Sequence, residues 1–246
     1  MALTPQTNTT LAEIASALAA YDTFAVCGHV NPDGDCLGSQ LALALALEAM
    51  GKKVDRLLVR DEPIDAGLKF LPGADRLIAA QDYSGSPQVF IACDVPIRSR
   101  IGAAADIQDQ AELTVTIDHH AVDSPMSDLN YVDADAAACG KLIWDLVSFM
   151  GVPVSPGIAA CCYVALMTDT GRFQYQNTDE SVFRAAGEMV AAGADPASCS
   201  REVYQRRSIA SLRLESLILD RLTVSENGEW CMAYLSRDDF EACGAV

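Results

Sequence analysis

The sequence has few basic residues and very few histidines. It contains 17 Lys and Arg against 34 Asp and Glu, which gives a net charge of −17, and only three His. A protein this acidic lacks the broad positive surface that binds long duplex nucleic acid. If its substrate carries phosphate, a local positive charge must offset this field, and bound metal ions are the obvious candidates.

Long apolar runs are also missing. The longest, residues 41–47, is far too short to cross a bilayer. The first ten residues, MALTPQTNTT, contain neither the basic region nor the apolar region of a signal peptide. We therefore expect a cytoplasmic protein that does not associate with membranes.

The nine cysteines lack the C-x-x-C spacing of zinc sites and redox motifs. The one adjacent pair, Cys161 and Cys162, lies in an apolar segment. Their scatter favours reduced, buried thiols that pack as small apolar side chains. A zinc ribbon or a disulfide framework is not expected.

Helical and extended patterns alternate through the first two-thirds of the chain. This alternation predicts an α/β fold with a mostly parallel sheet and helices on both faces, a Rossmann-like arrangement. A capping box at Thr10 and Glu13 begins the first helix. Strands are predicted at residues 23–28, 53–59, 88–93, 113–117 and 129–132, with helices at 11–20, 37–50, 136–150, 156–167, 181–192 and 208–219.

The C-terminal part looks different from the rest. Asp195-Pro196 interrupts the helical pattern, so we predict a catalytic domain over residues 1–194 and a separate segment over residues 195–246. That segment is mainly helical and ends in a short hairpin, because Asn227-Gly228 favours a tight turn between two extended runs.

Every histidine follows a predicted strand and stands beside carboxylates. The first segment is His29-Val30-Asn31-Pro32-Asp33-Gly34-Asp35, which follows the strand TFAVC. Asp94 follows the strand QVFIAC, and Asp118-His119-His120 follows LTVTI. A fourth carboxylate, Asp169, ends an apolar helical segment.

Ligands of an open parallel sheet bind at the carboxyl ends of its strands, so these side chains should meet at one edge. Four aspartates gathered there would repel one another unless cations offset them. Two divalent ions carry +4, which balances the four carboxylates. The four aspartates are Asp33, Asp35, Asp94 and Asp169.

Each residue alone has a simpler interpretation. An Asp after a strand is usually a helix N-cap or a turn residue, and a lone His is more often structural than a ligand. The pattern as a whole favours a metal site, because every histidine in the chain would otherwise have to fall beside strand-end carboxylates by accident.

Together these motifs resemble the DHH phosphoesterase superfamily. The resemblance rests on His-x-x-Pro-Asp-x-Asp at residues 29–35, the strand-end Asp94, the Asp-His-His run at 118–120 and Thr-Asp-Thr-Gly at 168–171. It covers residues 11–235 and includes the Phe-Leu-Pro-Gly turn at residues 70–73. Within the superfamily, the chain is similar to bacterial oligoribonucleases and phosphatases of 3′-phosphoadenosine 5′-phosphate.

The resemblance implies a role for each site residue. His29 and Asp33 would bind one metal ion, and Asp35, His119 and Asp169 would bind the other. Asp94 would bridge the two ions. His120 would contact the scissile phosphate or act as an acid, and Asp118 would orient the two histidines. Arg172 is a weaker candidate for a phosphate contact.

The implied activity is metal-dependent hydrolysis of short oligonucleotides, 3′-phosphoadenosine 5′-phosphate, or both. Imidazole and carboxylate ligands without sulfur favour Mn²⁺, with Mg²⁺ or Co²⁺ as further choices. Three alternatives remain: a cyclic-dinucleotide phosphodiesterase, an inorganic or polyphosphate pyrophosphatase, and a non-catalytic metal-binding module. The substrate would be a short oligonucleotide or nucleotide phosphate. Monomer and homodimer both remain open.

One feature departs from the family pattern. Its members continue into a C-terminal domain with a Gly-rich, His-containing motif that holds the substrate, and this sequence does not contain that motif. We expect either a fragment of a longer protein or a chain that works without that domain.

Overall fold

The computed structural model describes residues 4–122 and 124–245, and six parallel strands form the sheet at its centre. The strands are β1 (Thr23–Cys27), β2 (Lys53–Leu58), β3 (Leu77–Ala79), β4 (Val89–Cys93), β5 (Leu113–Asp118) and β6 (Leu129–Val132). Their order across the sheet is β3-β2-β1-β4-β5-β6, and every neighbouring pair is parallel. The predicted α/β fold with a parallel sheet is confirmed.

The central strands are apolar because the sheet is covered on both faces. All five residues of β4 are buried, as are the last four of β1. The helices that accompany the sheet are α1 (Leu11–Ala19), α2 (Gly34–Ala49), α3 (Ala104–Gln108), α4 (Cys139–Met150), α5 (Pro156–Asp169), α6 (Glu180–Ala191) and α7 (Pro196–Ser200).

Helix α1 begins with the predicted capping box. The Thr10 side chain accepts a hydrogen bond from the backbone N–H of Glu13, and the Glu13 carboxylate accepts one from the backbone N–H of Thr10. This exchange satisfies two N–H groups that would otherwise lack partners at the helix start.

Helix α2 begins earlier than predicted. We expected a loop through Cys36, but the helix starts at Gly34, because Asp33 caps it by accepting the backbone N–H of Cys36 at 3.0 Å. The sequence pattern did not predict a helix start at Gly34, because Gly is a poor helix former. The consequence is that Asp35 lies in the first helical turn and not in a loop.

A buried ion cluster lies near the edge of the sheet. Arg56 is 1% exposed and binds both carboxylate oxygens of Glu48, at 3.0 and 2.7 Å, while Arg76 binds the same carboxylate at 2.8 Å. Gly73 of the Phe-Leu-Pro-Gly turn has φ of +88°, and a Cβ there would lie 3.0 Å from Arg56 Nε. A side chain at this position would therefore press on the buried arginine.

The chain divides into two compact units, Met1–Cys199 and Ser200–Val246. The second contains a π-helical turn (Arg201–Gln205), α8 (Ile209–Asp220), β7 (Thr223–Val224), β8 (Cys231–Met232) and α9 (Arg237–Cys243). Strands β7 and β8 pair antiparallel, which confirms the predicted hairpin. Helix α9 was not predicted. It is fixed to the end of α8 by a two-pronged ion pair between Arg221 and Asp239, at 2.6 and 2.8 Å.

All nine cysteines are free thiols, and only Cys231 is exposed. This confirms the expectation of reduced thiols that are mostly buried. No helix in residues 4–122 and 124–245 is long and apolar enough to span a membrane.

Candidate metal centre

The polar residues that follow β1, β4 and β5 meet at the carboxyl edge of the sheet. β4 lies between β1 and β5, and all three run in the same direction. Their ends therefore place His29, Asp94 and His119 next to one another, as the sequence pattern predicts.

Asp94 lies between the two histidines. Its Oδ2 atom is 3.4 Å from Nε2 of His29, and its Oδ1 atom is 3.4 Å from Nε2 of His119. Oδ1 is buried and has no hydrogen-bond partner within the described residues. Asp94 adopts φ of +60°, and its N–H donates to the carbonyl of Ile117 at 3.0 Å. A buried carboxylate oxygen without a hydrogen bond, on a residue with left-handed backbone, is suited to bind a cation.

Both histidines present the same nitrogen to this carboxylate. Nδ1 of His119 lies 3.1 Å from the carbonyl oxygen of Ala136, and Nδ1 of His29 lies 2.8 Å from that of Val30. A carbonyl only accepts, so these two contacts favour a neutral ring with its proton on Nδ1. In that tautomer the lone pair of Nε2 is directed toward Asp94, as in histidines that bind metals.

Asp35 reaches the cluster from α2 and is almost completely buried, at 1% exposure. Its carboxylate accepts the backbone N–H groups of Cys139 and Gly140, at 2.7 and 2.8 Å, and so caps the start of α4. Its Oδ2 also lies 3.5 Å from Nε2 of His119. Asp33 is a cap too, and its Oδ1 lies 3.9 Å from Nε2 of His29. Asp33 is therefore a helix N-cap, as the simpler interpretation of the sequence has it, and Asp35 bonds the start of a second helix. Both carboxylates also lie at the site.

Asp169 joins the cluster because α5 packs unusually closely on α2. A Cβ at Gly34 would lie 2.5 Å from Thr168, and one at Gly38 would lie 2.5 Å from the carbonyl oxygen of Cys161. Only glycine fits at these two positions. The close approach brings Asp169, the last residue of α5, within 3.7 Å of Nε2 of His119.

The pKa values of the clustered carboxylates and of His119 are shifted from their ordinary values. Burial, followed by the charge on Asp94, raises the pKa of Asp35 well above its ordinary value. Burial also raises the pKa of Asp169. Burial alone would lower the pKa of His119, but its contact with Asp94 and the charges of Asp35 and Asp169 raise it to about 10. These shifts indicate that the carboxylates need nearby positive charge to ionise together.

His120 is oriented by Asp118. Its Nδ1 lies 2.7 Å from Oδ1 of Asp118, a fully buried carboxylate that also accepts the backbone N–H of His119 at 2.8 Å. This hydrogen bond raises the pKa of His120. Nδ1 also lies 3.6 Å from Oδ1 of Asp94. The imidazole is therefore held at the rim of the cluster, with its Nε2 not committed to Asp118.

The donor set suits divalent cations. Two groups of three share His119 and lie within metal-binding reach: Asp94 with both histidines of the Asp-His-His run, and His119 with Asp35 and Asp169. A third group contains His29, Asp94 and the thiol of Cys36. Burial raises the pKa of Cys36 well above its usual value, and its Sγ already accepts the backbone N–H of His29 at 3.1 Å. The competent donors are imidazole and carboxylate groups, which bind hard or borderline divalent metals.

Arg172 is exposed and follows Gly171 in a run of left-handed residues, with φ of +64°. Its backbone N–H donates to the carbonyl of Met167 at 2.8 Å. The predicted phosphate contact of its side chain remains a prediction.

Two residues that the sequence did not suggest also belong to the site. Asn177 donates through Nδ2 to the carbonyls of Ala137 and Asp169, at 3.1 and 3.2 Å, and so ties the end of α5 to the start of α4. Arg100 places Nη2 at 3.0 Å from Nδ1 of His29. A signal for Arg100 was present, because a basic residue closely follows the strand-end Asp94 in a very acidic chain.

This geometry agrees with the comparison to known protein families. A family model described as DHH family, N-terminal domain, matches residues 23–166, which is more than half of the chain. The match includes β1 through β6, the Asp-His-His run and most of α5. The chain belongs to the DHH family.

Two curated relatives of this chain carry the same enzyme name. The chain is 30% identical over 213 residues to the bifunctional oligoribonuclease and PAP phosphatase NrnA of Thermus thermophilus. It is 28% identical over 238 residues to the protein of the same name from Bacillus subtilis. The matches cover 87% and 95% of this chain, which spans 63% and 73% of the lengths of these two relatives.

A solved structure shares the fold. An exopolyphosphatase-related protein from Bacteroides fragilis matches with a TM-score of 0.88 at 23% sequence identity, covering 96% of this chain and 72% of that one. The likeness supports the α/β architecture.

Proposed function

We propose that this protein is a metal-dependent phosphoesterase that hydrolyses short oligonucleotides, 3′-phosphoadenosine 5′-phosphate, or both. The observation that carries the proposal is the position of Asp94, with one carboxylate oxygen 3.4 Å from His29 and the other 3.4 Å from His119. A buried carboxylate with a histidine on each oxygen is suited to be shared by two cations.

The proposed ligand assignment is the one that the family resemblance implies, and the short distances between these side chains support it. His29 and Asp33 would hold one ion, while Asp35, His119 and Asp169 would hold the other, and Asp94 would bind both. Mn²⁺ is the proposed ion, because the proposed ligands are imidazole and carboxylate groups. Mg²⁺ and Co²⁺ are the next choices.

When bound, divalent cations would polarise a phosphoryl group and lower the pKa of a water molecule toward neutrality. Hydrogen bonds within the chain fix the orientation of the proposed ligand side chains. Hydrogen bonds from Cys139 and Gly140 fix Asp35, and the carbonyls of Val30 and Ala136 fix the rings of His29 and His119.

His120 is the proposed proton donor. Asp118 accepts its Nδ1–H and raises its pKa, so the ring retains a second proton on Nε2 nearer to neutral pH than an ordinary histidine would. That proton can pass to the leaving oxygen of the ester as the P–O bond breaks. The role of Asp118 is to orient and charge the ring.

The substrate class rests on the relatives, which are named for activity on oligoribonucleotides and PAP, that is, 3′-phosphoadenosine 5′-phosphate. The acidic surface agrees with small substrates, since a net charge of −17 disfavours long nucleic acid.

A substrate panel with and without Mn²⁺ tests the proposal. The panel contains di- to pentanucleotides, 3′-phosphoadenosine 5′-phosphate, pyrophosphate and cyclic dinucleotides. We expect metal-dependent turnover of the first two classes. Turnover of pyrophosphate alone would instead indicate a pyrophosphatase, and turnover of cyclic dinucleotides alone would indicate a cyclic-dinucleotide phosphodiesterase. Absence of turnover on the whole panel would contradict the proposed enzyme and favour a metal-binding module.

A further inference from the structure

Arg100 is held against the candidate metal centre by the backbone. It lies in the single helical turn Arg98–Ile101 that follows β4, and its carbonyl accepts the backbone N–H of Val30 at 2.9 Å. The loops after β1 and β4 are joined at this point. The Arg100 side chain therefore lies beside His29 because of the fold itself.

Among the described residues of the first unit, most arginines form an ion pair with a carboxylate, but Arg100 does not. Examples are Arg56, Arg60, Arg76, Arg98 and Arg184. In residues 4–122 and 124–245, Arg100 forms no such pair, and its buried Nε has no hydrogen-bond partner. An arginine without a carboxylate in so acidic a chain is a ready binding group for an external anion.

The hydrogen bond between the Arg100 side chain and His29 conflicts with a second contact of the same histidine nitrogen. Nη2 lies 3.0 Å from Nδ1 of His29, and an arginine only donates, so this contact needs Nδ1 without a proton. The same Nδ1 lies 2.8 Å from the carbonyl of Val30, which only accepts and needs Nδ1 with a proton. One nitrogen cannot meet both demands.

A cation on Nε2 of His29 would remove this conflict. The neutral ring would then carry its proton on Nδ1 and donate it to the carbonyl of Val30. Arg100 would lose its acceptor and keep its charge, beside a ring edge that faces away from Asp94. An anion that Arg100 takes would thus lie next to the carboxylate cluster and not inside it.

We propose that Arg100 binds a phosphate group of the substrate other than the one that is hydrolysed. The proposal rests on the proposed function and makes Arg100 a specificity-determining residue. Its ligand class is a nucleotide with a second phosphate, such as 3′-phosphoadenosine 5′-phosphate or a 5′-phosphorylated dinucleotide. The planar guanidinium can give two parallel N–H bonds to such a group.

The test compares two substrates in four proteins. Mn²⁺-loaded wild type, Arg100→Ala, Arg100→Lys and Arg98→Ala are assayed on 3′-phosphoadenosine 5′-phosphate and on adenosine 3′-phosphate, which lacks the second phosphate. Arg98 is the matched control. It lies in the same turn, and its guanidinium is already bonded to Gln108 and Asp109, at 2.8 and 2.6 Å.

We expect Arg100→Ala to raise the KM for the bisphosphate relative to that for the monophosphate by about ten-fold or more, the usual loss for a charged hydrogen bond. Arg100→Lys should recover part of this ratio, and Arg98→Ala should leave it unchanged. An unaltered ratio in Arg100→Ala would overturn the proposal.

A binding measurement tests the role of Arg100 independently of whether the proposed enzyme activity is found. Calorimetric titration with Mn²⁺ should give the same metal affinity for Arg100→Ala as for wild type. A fall in metal affinity with an unchanged KM ratio would make Arg100 a positioning residue for His29 and overturn phosphate binding. If the wild type hydrolyses neither substrate, the proposed function fails. Titration with the intact bisphosphate still decides the role of Arg100, since weaker binding to Arg100→Ala supports it and equal binding overturns it.

Discussion

The Nε2 atom of His119 lies 3.4 Å from Oδ1 of Asp94, although the two residues follow different strands. The contact spans the ends of β4 and β5, which pair in parallel. Asp94 Oδ1 has no hydrogen bond within the described residues, and the contact of His119 Nδ1 with the carbonyl of Ala136 leaves Nε2 facing Asp94. This pair of side chains is therefore suited to bind a cation.

Loss of either residue should abolish hydrolysis. We expect Asp94→Asn and His119→Ala to reduce Mn²⁺-dependent turnover of bis-p-nitrophenyl phosphate by at least a hundred-fold, because each removes a ligand of the proposed pair. Asp82→Asn, at an exposed aspartate, is the control and should behave as wild type. Near wild-type turnover in metal-loaded Asp94→Asn would rule out the assignment.

Metal removal should destabilise the fold. Cations that bind only the native state add about 2.7 kcal/mol at a hundred times the dissociation constant, so Mn²⁺ should raise the melting temperature and EDTA should lower it. His119→Ala should show a much smaller response. Melting curves of wild type that coincide with and without EDTA would count against a preformed site.

Two helical glycines should respond in opposite ways to substitution by alanine, because one lies in the tight contact of α2 with α5 and the other has open space around it. A Cβ at Gly38 would lie 2.5 Å from a backbone carbonyl and 2.9 Å from Ala165 Cβ, so Gly38→Ala should cost about 1–3 kcal/mol and weaken Mn²⁺ binding by displacing Asp169. Gly187 in α6 has open space around it, so Gly187→Ala should stabilise by about 0.5–1 kcal/mol. Chemical denaturation measures both. Equal stability of Gly38→Ala and wild type would refute this packing.

The buried ion cluster predicts a pH-dependent stability. Burial opposes ionisation of Glu48, but its bonds to Arg56 and Arg76 outweigh this and lower its pKa below the ordinary 4.5. The stabilisation is therefore present above pH 4.5 and is lost as pH falls through the lowered pKa. Glu48→Gln should cost about 3 kcal/mol at pH 7, because it leaves Arg56 buried without a counter-charge.

The same substitution should cost less in acid, where the wild type has also lost the ion pair. Unfolding by urea across a pH series measures the difference. Glu62→Gln is the control, because its pair with Arg60 is exposed on both sides and should contribute less than about 1 kcal/mol. A cost for Glu48→Gln that stays constant from pH 7 to pH 3 would contradict the account.

Much of the fold could be predicted from the sequence because its signals are local. Strands such as VFIAC are apolar throughout, as buried parallel strands are, and Thr10 with Glu13 marks a helix start. The convergence of strand-end side chains follows from parallel topology alone. The start of α2 was missed because a helix that begins with glycine has weak local propensity and depends on its cap.

The rest of the site depends on contacts between distant segments. Asp35 caps α4 across more than a hundred residues, and no local pattern encodes that bond. The fit of Gly34 and Gly38 against α5 likewise appears only when the two helices are packed. Arg100 was overlooked because a basic residue a few positions after Asp94 does not reveal that its side chain lies beside His29.

The most direct test of the central claim is electron paramagnetic resonance of the protein titrated with Mn²⁺. Two Mn²⁺ ions that share the Asp94 carboxylate should couple magnetically, so the account predicts a coupled signal that is complete at two ions per chain and absent from Asp94→Asn. A single uncoupled ion, or no binding, would contradict it.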